Sequence, residues 1–366
     1  DYLYINQQDG TFKEELKERI DHLSISSMGS DVADLNNDGY PEIFSTDMLA
    51  ADNYRLKAAT LYDNVTVEGI KASADYHHQI LQNCLQLNDG TGNFQEVAHF
   101  SKVAATDWSW GALIFDMNND GNKDIFVANG IYHDIMNLDF ADFVADKEQV
   151  KKLVEEKGRF DWRDFVEFLP PNKQVNYAFV NQGDLKFENQ SAALGLGTPS
   201  FSNGAAYGDL DGDGDLDLVV NNVNQPVSIY RNGSEANGNN YLRVKLNGSP
   251  GNTAGIGAKL TIAMADGSIQ TQEQYPTRGY LSTVDYVQVF GLGKSPATLK
   301  SVTVRWPDGK SQQLNDVTPN QTLVLNYADA HNTPPEAKEV ISPLFLAAQN
   351  ELDIPAEHVE EFFNDF

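Results

Sequence analysis

The chain has 366 residues, 41% hydrophobic and 10% aromatic, with 26 basic against 53 acidic residues and a formal net charge of −27. That is too apolar for a disordered acidic tail and enough for a sizeable core in roughly two or three domains. A phosphate backbone wants a stripe of Lys and Arg, so nucleic acid is not the expected partner, and a divalent cation is the natural counter-charge.

No run approaches the ~18 apolar residues of a membrane-spanning helix. The single cysteine, Cys84, excludes an intrachain disulfide and a cysteine-based zinc site. No basic leader or cleavage site precedes the strand-like start at Tyr2–Ile5, so the numbering is expected to begin on a mature or truncated chain.

In chain order, the first element is LYINQQDGTF (3–12): a short strand, an Asn, a glycine-containing turn and a Phe. LQLNDGTGNF (85–94) and AFVNQGDLKF (178–187) repeat it, and the Asn precedes the Phe by six residues each time. Downstream lie three acidic loops, DLNNDGYPEIF (34–44), DMNNDGNKDIF (116–126) and DLDGDGDLDLV (209–219). The first loop aspartate follows the Asn by 28 residues in all three copies, which marks an internal repeat. Asn232, after Ile229-Tyr230-Arg231, restarts the signature and sets a bare repeat of 51 residues. The first two copies therefore carry insertions of 31 and 42 residues, at about 50–80 and 132–175. The second includes DKEQVKKLVEEKGRFDWRDFVEFL, where the spacing of Val150, Leu153 and Val154 predicts a helix packed on the sheet and ending by Pro170-Pro171. The alternative is that the insertions build a binding face. A period near 50 residues made of short strands is the size of a propeller blade, and three blades need a further partner to bury their faces.

Counted from its first aspartate, each loop places oxygen side chains at positions 1, 3, 5 and 9. These are Asp34, Asn36, Asp38 and Glu42; Asp116, Asn118, Asp120 and Asp124; and Asp209, Asp211, Asp213 and Asp217. Position 6 is always glycine, and position 7 (Tyr40, Asn122, Asp215) can offer its backbone carbonyl. An all-oxygen set on a tight loop suits Ca²⁺ better than the strictly octahedral Mg²⁺. An EF-hand needs a bidentate Glu at position 12 on a helix; here that position is Ser45, Val127 and Val220 on strand-like segments, so the EF-hand is rejected. About three Ca²⁺ would offset much of the charge of the eleven loop carboxylates.

These loops, with their strand–Asn–Gly–Phe lead-in, resemble FG-GAP/VCBS repeats of the integrin-α-like propeller family. DMLAADNYRLK, DWSWGALIFDMNNDGNKDIFVANGI and SFSNGAAYGDLDGDGDLDLVVNN are similar to a Bacteroidetes-type exported subfamily that also resembles cartilage acidic protein. The resemblance implies propeller blades over about 1–235 with Ca²⁺ in the hairpin loops, in a ring of seven that three repeats do not close.

From about 238 the pattern changes to alternating strands: YLRVKLNG, GAKLTIAM, SIQTQEQY, VQVFGLG, SVTVRWPDG and QTLVLNY. A β-sandwich-like domain is expected at 238–328, and GNTAGIGAKL, RGYLS, VFGLG and RWPDG resemble the ASPIC/UnbV domain. Residues 329–366 are expected to be a linker and, from PLFLAAQNELD onward, the start of another repeat. The fold class is thus all-β: a partial propeller with helical insertions, then a sandwich-like domain.

Enzyme signatures are weak. Gly293-Lys294-Ser295 lacks the earlier glycine of a P-loop, and there is no G-x-S-x-G, H-E-x-x-H or G-x-G-x-x-G. Trp108, Trp110, Tyr132, His133 and Trp162 could form an aromatic ligand-binding surface, although for Trp108 and Trp110 blade core is the favoured reading. The expectation is a calcium-stabilised, non-catalytic protein, exported or at the outer-membrane surface, that recognises a protein or glycan ligand. Family context suggests an accessory to a SusCD-type nutrient importer. The alternative is a carbohydrate-active hydrolase or lyase on a propeller scaffold, since each acidic loop supplies candidate carboxylate pairs.

Overall fold

In the blades, strands of three to seven residues separated by Gly- and Asx-rich turns pair in chain order into antiparallel sheets, while Leu23–Ser24 pairs in parallel with Gln79–Ile80. The computed structural model describes residues 2–60, 65–159, 161–166, 168–294 and 298–332, without the side chain of residue 164; the expected further repeat lies outside them. A hairpin comes first, β1 (Tyr4–Asn6) with β2 (Phe12–Glu14). Blade one follows as β3 (Ser30–Ala33), β4 (Glu42–Ser45), β5 (Cys84–Asn88) and β6 (Phe94–Glu96). Blade two is β7 (Ser109–Phe115), β8 (Asp124–Asn129), β9 (Tyr177–Asn181) and β10 (Phe187–Asn189). Blade three has β11 (Ser202–Gly208), β12 (Asp217–Asn222) and β13 (Ser228–Tyr230).

The sequence repeat and the sheets are out of phase. The strand–Asn–Gly–Phe signature forms the third and fourth strands of one blade, and the acidic loop 28 residues later joins the first two strands of the next. All three acidic loops connect strand to strand.

Blade two shows why the repeats stack. Its β8 is buried throughout, and its residues alternate between two cores. Ile125 and Val127 face blade one with Phe44, Leu85 and Ile114, while Phe126 and Ala128 face blade three with Leu218 and Val220. This is the period-2 pattern of a strand sandwiched on both sides.

Because the strands alternate in direction, the acidic loops lie at one end of the blades and the second-to-third-strand connections at the other. Both insertions occupy those connections; blade three crosses in residues 223–227. The first insertion holds α1 (Asn53–Ala59) and α2 (Val65–Ser73), the second α3 (Leu138–Ala145), α4 (Lys147–Lys157) and α5 (Trp162–Val166). Asp52, Asn137 and Asp146 cap α1, α3 and α4 by accepting backbone N–H groups. The helix expected to pack on the sheet does not: α4 buries no residue and lies against α3, so its short apolar stripe is satisfied by another helix. Arg55 of α1 ties the insertions together, with Nε 3.0 Å from Asp107 and Nη1 2.6 Å from Asp134.

The remaining strands build two facing sheets. One orders β19 (Gln288–Gly293), β14 (Asn240–Asn247) and β22 (Gln321–Asn326); the other orders β16 (Ile269–Glu273), β15 (Lys259–Ala263), β20 (Leu299–Arg305), β21 (Lys310–Val317) and β23 (His331–Asn332). Every second residue faces the shared core: Leu242, Val244 and Leu246; Leu260 and Ile262; Val302, Val304 and Trp306. This sandwich and the blades form one compact unit through Asn332.

A hairpin of the sandwich, β17 (Thr277–Arg278) and β18 (Ser282–Thr283), runs along the first strands of all three blades. Gly279 donates its N–H to Ser30 at 3.0 Å, and Tyr280 packs 4.9 Å from Trp110. Gly279 has φ +63°, and a Cβ there would lie 2.9 Å from the Ala112 oxygen, so the position admits only glycine without strain. Beside it, the buried Arg278 places Nη1 2.7 Å from Asp31 Oδ1, while Asp31 Oδ2 accepts the Ile114 N–H at 2.7 Å. One carboxylate thus joins blade one, blade two and the sandwich.

Breaking a buried pair strands the other charge and costs about 3–5 kcal/mol. Arg278→Met is therefore expected to lower the free energy of urea unfolding by that amount. A loss below about 1 kcal/mol, the worth of a surface pair, would remove the pair from this role.

Candidate metal centres in the acidic loops

Each loop closes around its first aspartate. Asp34 accepts the N–H groups of Asp38 and Gly39 at 3.1 and 3.0 Å, Asp116 those of Asp120 and Gly121 at 3.2 and 2.8 Å, and Asp209 those of Gly212 and Gly214 at 2.7 and 3.1 Å. The turn requires left-handed backbone at position 6, where Gly39, Gly121 and Gly214 have φ of 90°, 96° and 98°. Positions 3 and 5 face each other: Asn36 donates to Asp38 at 2.9 Å and Asn118 to Asp120 at 3.1 Å. In loop three, oxygens of Asp209, Asp211 and Asp213 lie within 4.8 Å of one another. Converging carboxylate oxygens are the donor set a hard divalent cation takes, so loop three fits Ca²⁺, whereas in loops one and two the Asn36 and Asn118 amide nitrogens face the position 5 carboxylates.

Position 9 clasps the loop. Asp124 accepts the Met117 and Asn181 N–H groups, both at 2.8 Å, and Asp217 accepts those of Leu210 and Asn232 at 2.9 and 2.8 Å. Glu42 accepts the Leu35 N–H at 2.7 Å. Each accepting oxygen keeps a further lone pair for a cation. Among the position 7 residues, Tyr40 is exposed, Asn122 half-buried and Asp215 buried.

The asparagines lace the loops to one another. Asn181 donates to Lys123 O of its own loop and Leu35 O of the preceding one, both at 3.0 Å. Asn232 likewise reaches Leu216 O at 3.0 Å and Met117 O at 2.8 Å. In the other direction, position 4 contributes: Asn37 donates to Gly121 O at 3.0 Å and Asn119 to Gly214 O at 3.1 Å. Asn181 and Asn232 therefore each sit on the loop of their own blade and on that of the preceding blade, not on a loop that follows by 28 residues. These asparagines were visible as a signature, but their partners were not.

The sandwich closes over this end. A Cβ on Gly291 would come within 2.0 Å of Asp116 Oδ2, so the VFGLG strand lies directly on loop two. Lys259 donates to Gly39 O at 3.1 Å, and Arg243 Nε lies 3.1 Å from Asp209 Oδ2. Lys123, buried, donates to Asp34 O at 2.9 Å. A cavity of about 310 Å³ remains between blades and sandwich, lined by Asp34, Asp116, Lys123, Lys259, Glu273 and Arg278 among others. Sequence reasoning passed over Lys123, Arg243, Lys259 and Arg278, whose neighbours lie too far along the chain to show in any local pattern.

Crowding sets the electrostatics. Burial, reinforced by Asp120, pushes Asp116 from 3.8 up to about 7. Burial, opposed by the Leu35 N–H, raises Glu42 from 4.5 to about 7. Asp34 is raised by burial against the pull of Lys123, and Asp124 is raised well above the usual range by burial and Asp116. Burial lowers Lys123, opposed by Asp34 and Asp116.

The aromatic residues lie at the other end of the blades. Trp108 is buried; Trp110 is half-buried, 6.1 Å from Trp108, and donates Nε1–H to Gly130 O at 2.8 Å. His133 packs edge-on to Tyr132 at 4.6 Å. Trp162 stands on α5 with 64% exposure.

Blades laced through acidic loops, capped by a sandwich, define the class: the chain is a repeat protein with FG-GAP-like repeats and an ASPIC/UnbV domain. The FG-GAP-like repeat family matches residues 73–127 and 162–220, each stretch running from an insertion through the third and fourth strands of one blade into the second of the next, and the ASPIC and UnbV family matches 248–332. Among particular proteins, the chain is similar to cartilage acidic protein 1. The human protein is 28% identical over 266 residues, 66% of this chain and 40% of that protein; the Xenopus tropicalis protein is 37% identical over 276 residues, 69% and 42%. The chain thus spans about two fifths of the length of these curated relatives.

The raised carboxylates imply a pH dependence. A native-state pKa above the unfolded value means that the folded chain holds more protons, so stability is greatest below the unfolded pKa and is lost as pH rises through the folded one. In EDTA, the melting temperature is expected to fall between about pH 4 and 7, the span of the Glu42 and Asp116 shifts. Excess Ca²⁺ should flatten or reverse that fall. A Ca²⁺-independent profile would remove the loops as ion sites.

Proposed function

We propose that the chain is a calcium-stabilised, non-catalytic binding or assembly protein working outside the cell. The observation that carries this reading is the convergence of three oxygen-rich loops at one end of the blades, laced to each other and capped by the sandwich. Calcium would there be structural: it neutralises charge that the fold forces together. Among the described residues, no helix is long and apolar enough to cross a membrane. The insertions at the opposite end offer the recognition surface, with Tyr54, Tyr76, Ile135, Trp162 and Phe168 each more than half exposed. Large exposed aromatic and aliphatic side chains suit a protein or glycan ligand, and a nutrient importer at the outer membrane is the setting we favour.

A carbohydrate-active enzyme would instead use a carboxylate pair in a cleft away from the loops. Two carboxylates outside the loops are also raised by burial, but each is engaged: Asp31 by Arg278, and Asp47 by the Ser24 hydroxyl at 2.7 Å and the Ser26 N–H at 3.0 Å.

Thermal unfolding in EDTA, then with Ca²⁺ or Mg²⁺ restored, tests the calcium role. Each occupied site should add about 2.7 kcal/mol at a hundredfold excess over Kd, so a large Ca²⁺-specific rise in Tm is expected; equal curves would sink it. Replacing residues 138–166 with the blade-three connection VNQPV should abolish binding to polysaccharide in affinity electrophoresis while leaving the Ca²⁺-dependent Tm in place. Glycan cleavage that survives this replacement would favour the enzyme.

A further inference from the structure

We propose that the third acidic loop holds two cations, the second bound by Asp213, Asp215 and Glu235. The inference rests on the calcium reading of the loops and adds a site that loops one and two do not have. In those loops, position 3 is Asn36 or Asn118 and position 7 is Tyr40 or Asn122; in loop three both are aspartates, Asp211 and Asp215.

Position 7 needs only its backbone carbonyl to serve the first ion, yet the Asp215 side chain is turned inward and 1% exposed. One of its oxygens accepts the Ser234 hydroxyl at 3.0 Å and the Glu235 N–H at 3.3 Å. The other, Oδ1, is buried with no hydrogen-bond partner among the described residues. A buried carboxylate oxygen left unpaired is costly, and a bound cation removes the cost. Oxygens of Asp213, Asp215 and Glu235 lie within 4.8 Å of one another, as do those of Asp209, Asp211 and Asp213, so Asp213 is common to both groups. A carboxylate bridging two ions about 3.5–4 Å apart is ordinary coordination chemistry.

Arg231 does not fill this place. Its guanidinium reaches Asp211 at 2.7 Å and Asp213 and Glu235 at 2.9 Å, but its hydrogen bonds stop short of Asp215. The side chain is 62% exposed and can swing outward. The positions matching it are Leu87 and Val180, so the arginine, like the extra aspartates, belongs to this blade alone. Charge points the same way. Asp209, Asp211, Asp213, Asp215, Asp217 and Glu235 face Arg231, Arg243 and one divalent ion, which leaves the charge of a second ion to be met. Three carboxylates and the Ser234 hydroxyl are hard oxygen donors, which favours Ca²⁺ over a soft metal.

Calcium stoichiometry by isothermal titration calorimetry, on the 366-residue chain stripped with EDTA, tests this. The wild type is expected to bind four ions and D215N/E235Q three, while D120N in loop two still shows both loop-three ions. Because Glu235 lies at the surface, E235Q alone leaves the fold intact, as its Tm in EDTA should confirm, and should weaken one Ca²⁺ at least tenfold. Three ions in wild type and double variant alike would overturn the second site and leave the calcium reading of the loops standing. No bound ion in the wild type would overturn both.

Discussion

Like charges held together are the constraint on which this molecule is built. Three loops bring eleven carboxylates to one end of the blades, and most other features at that end answer to it. Backbone N–H groups wrap the first aspartate of each loop, position 9 clasps the loop base, and asparagines fasten each loop to the next. Lys123, Arg243 and Lys259 approach from the neighbouring blade and the sandwich. Hydrophobic burial between blades stacks the repeats, but it sets no register at the loop end; the hydrogen bonds of Asn181 and Asn232 do.

The ASPIC/UnbV motifs gain a physical meaning from this arrangement. VFGLG contains Gly291, which lets a strand lie on Asp116. RGYLS contains Arg278, Gly279 and Tyr280, which pair with Asp31, approach Ala112 and pack on Trp110. GNTAGIGAKL ends near Lys259, which holds loop one. These are docking residues, and they hold the sandwich on the blades.

Much of the fold was legible in the sequence because it is periodic. Ile125 to Ala128 alternate between two cores, Leu242 to Leu246 alternate in the sandwich, and the acidic loops keep their spacing. The phase of the blades was not legible, since a repeat marks recurrence and not which strands pair. Nor were the contacts of Arg278 or Lys259, which join segments more than 200 residues apart. The exposure of the aromatic residues was also hidden: Trp108 and Trp162 are the same residue type with opposite burial, decided by one lying beside a blade strand and the other on a peripheral helix.

The hydrogen bond between Asp31 and Arg278 spans 247 residues of chain. Closing so long a loop carries a large entropic cost and rewards folding only once both ends are formed. Blades one and two must already be stacked before Arg278 has a carboxylate to meet, because Asp31 is positioned by the Ile114 N–H. The hairpin is thus a long-range clasp, complete only where blade one, blade two and the sandwich are all in place.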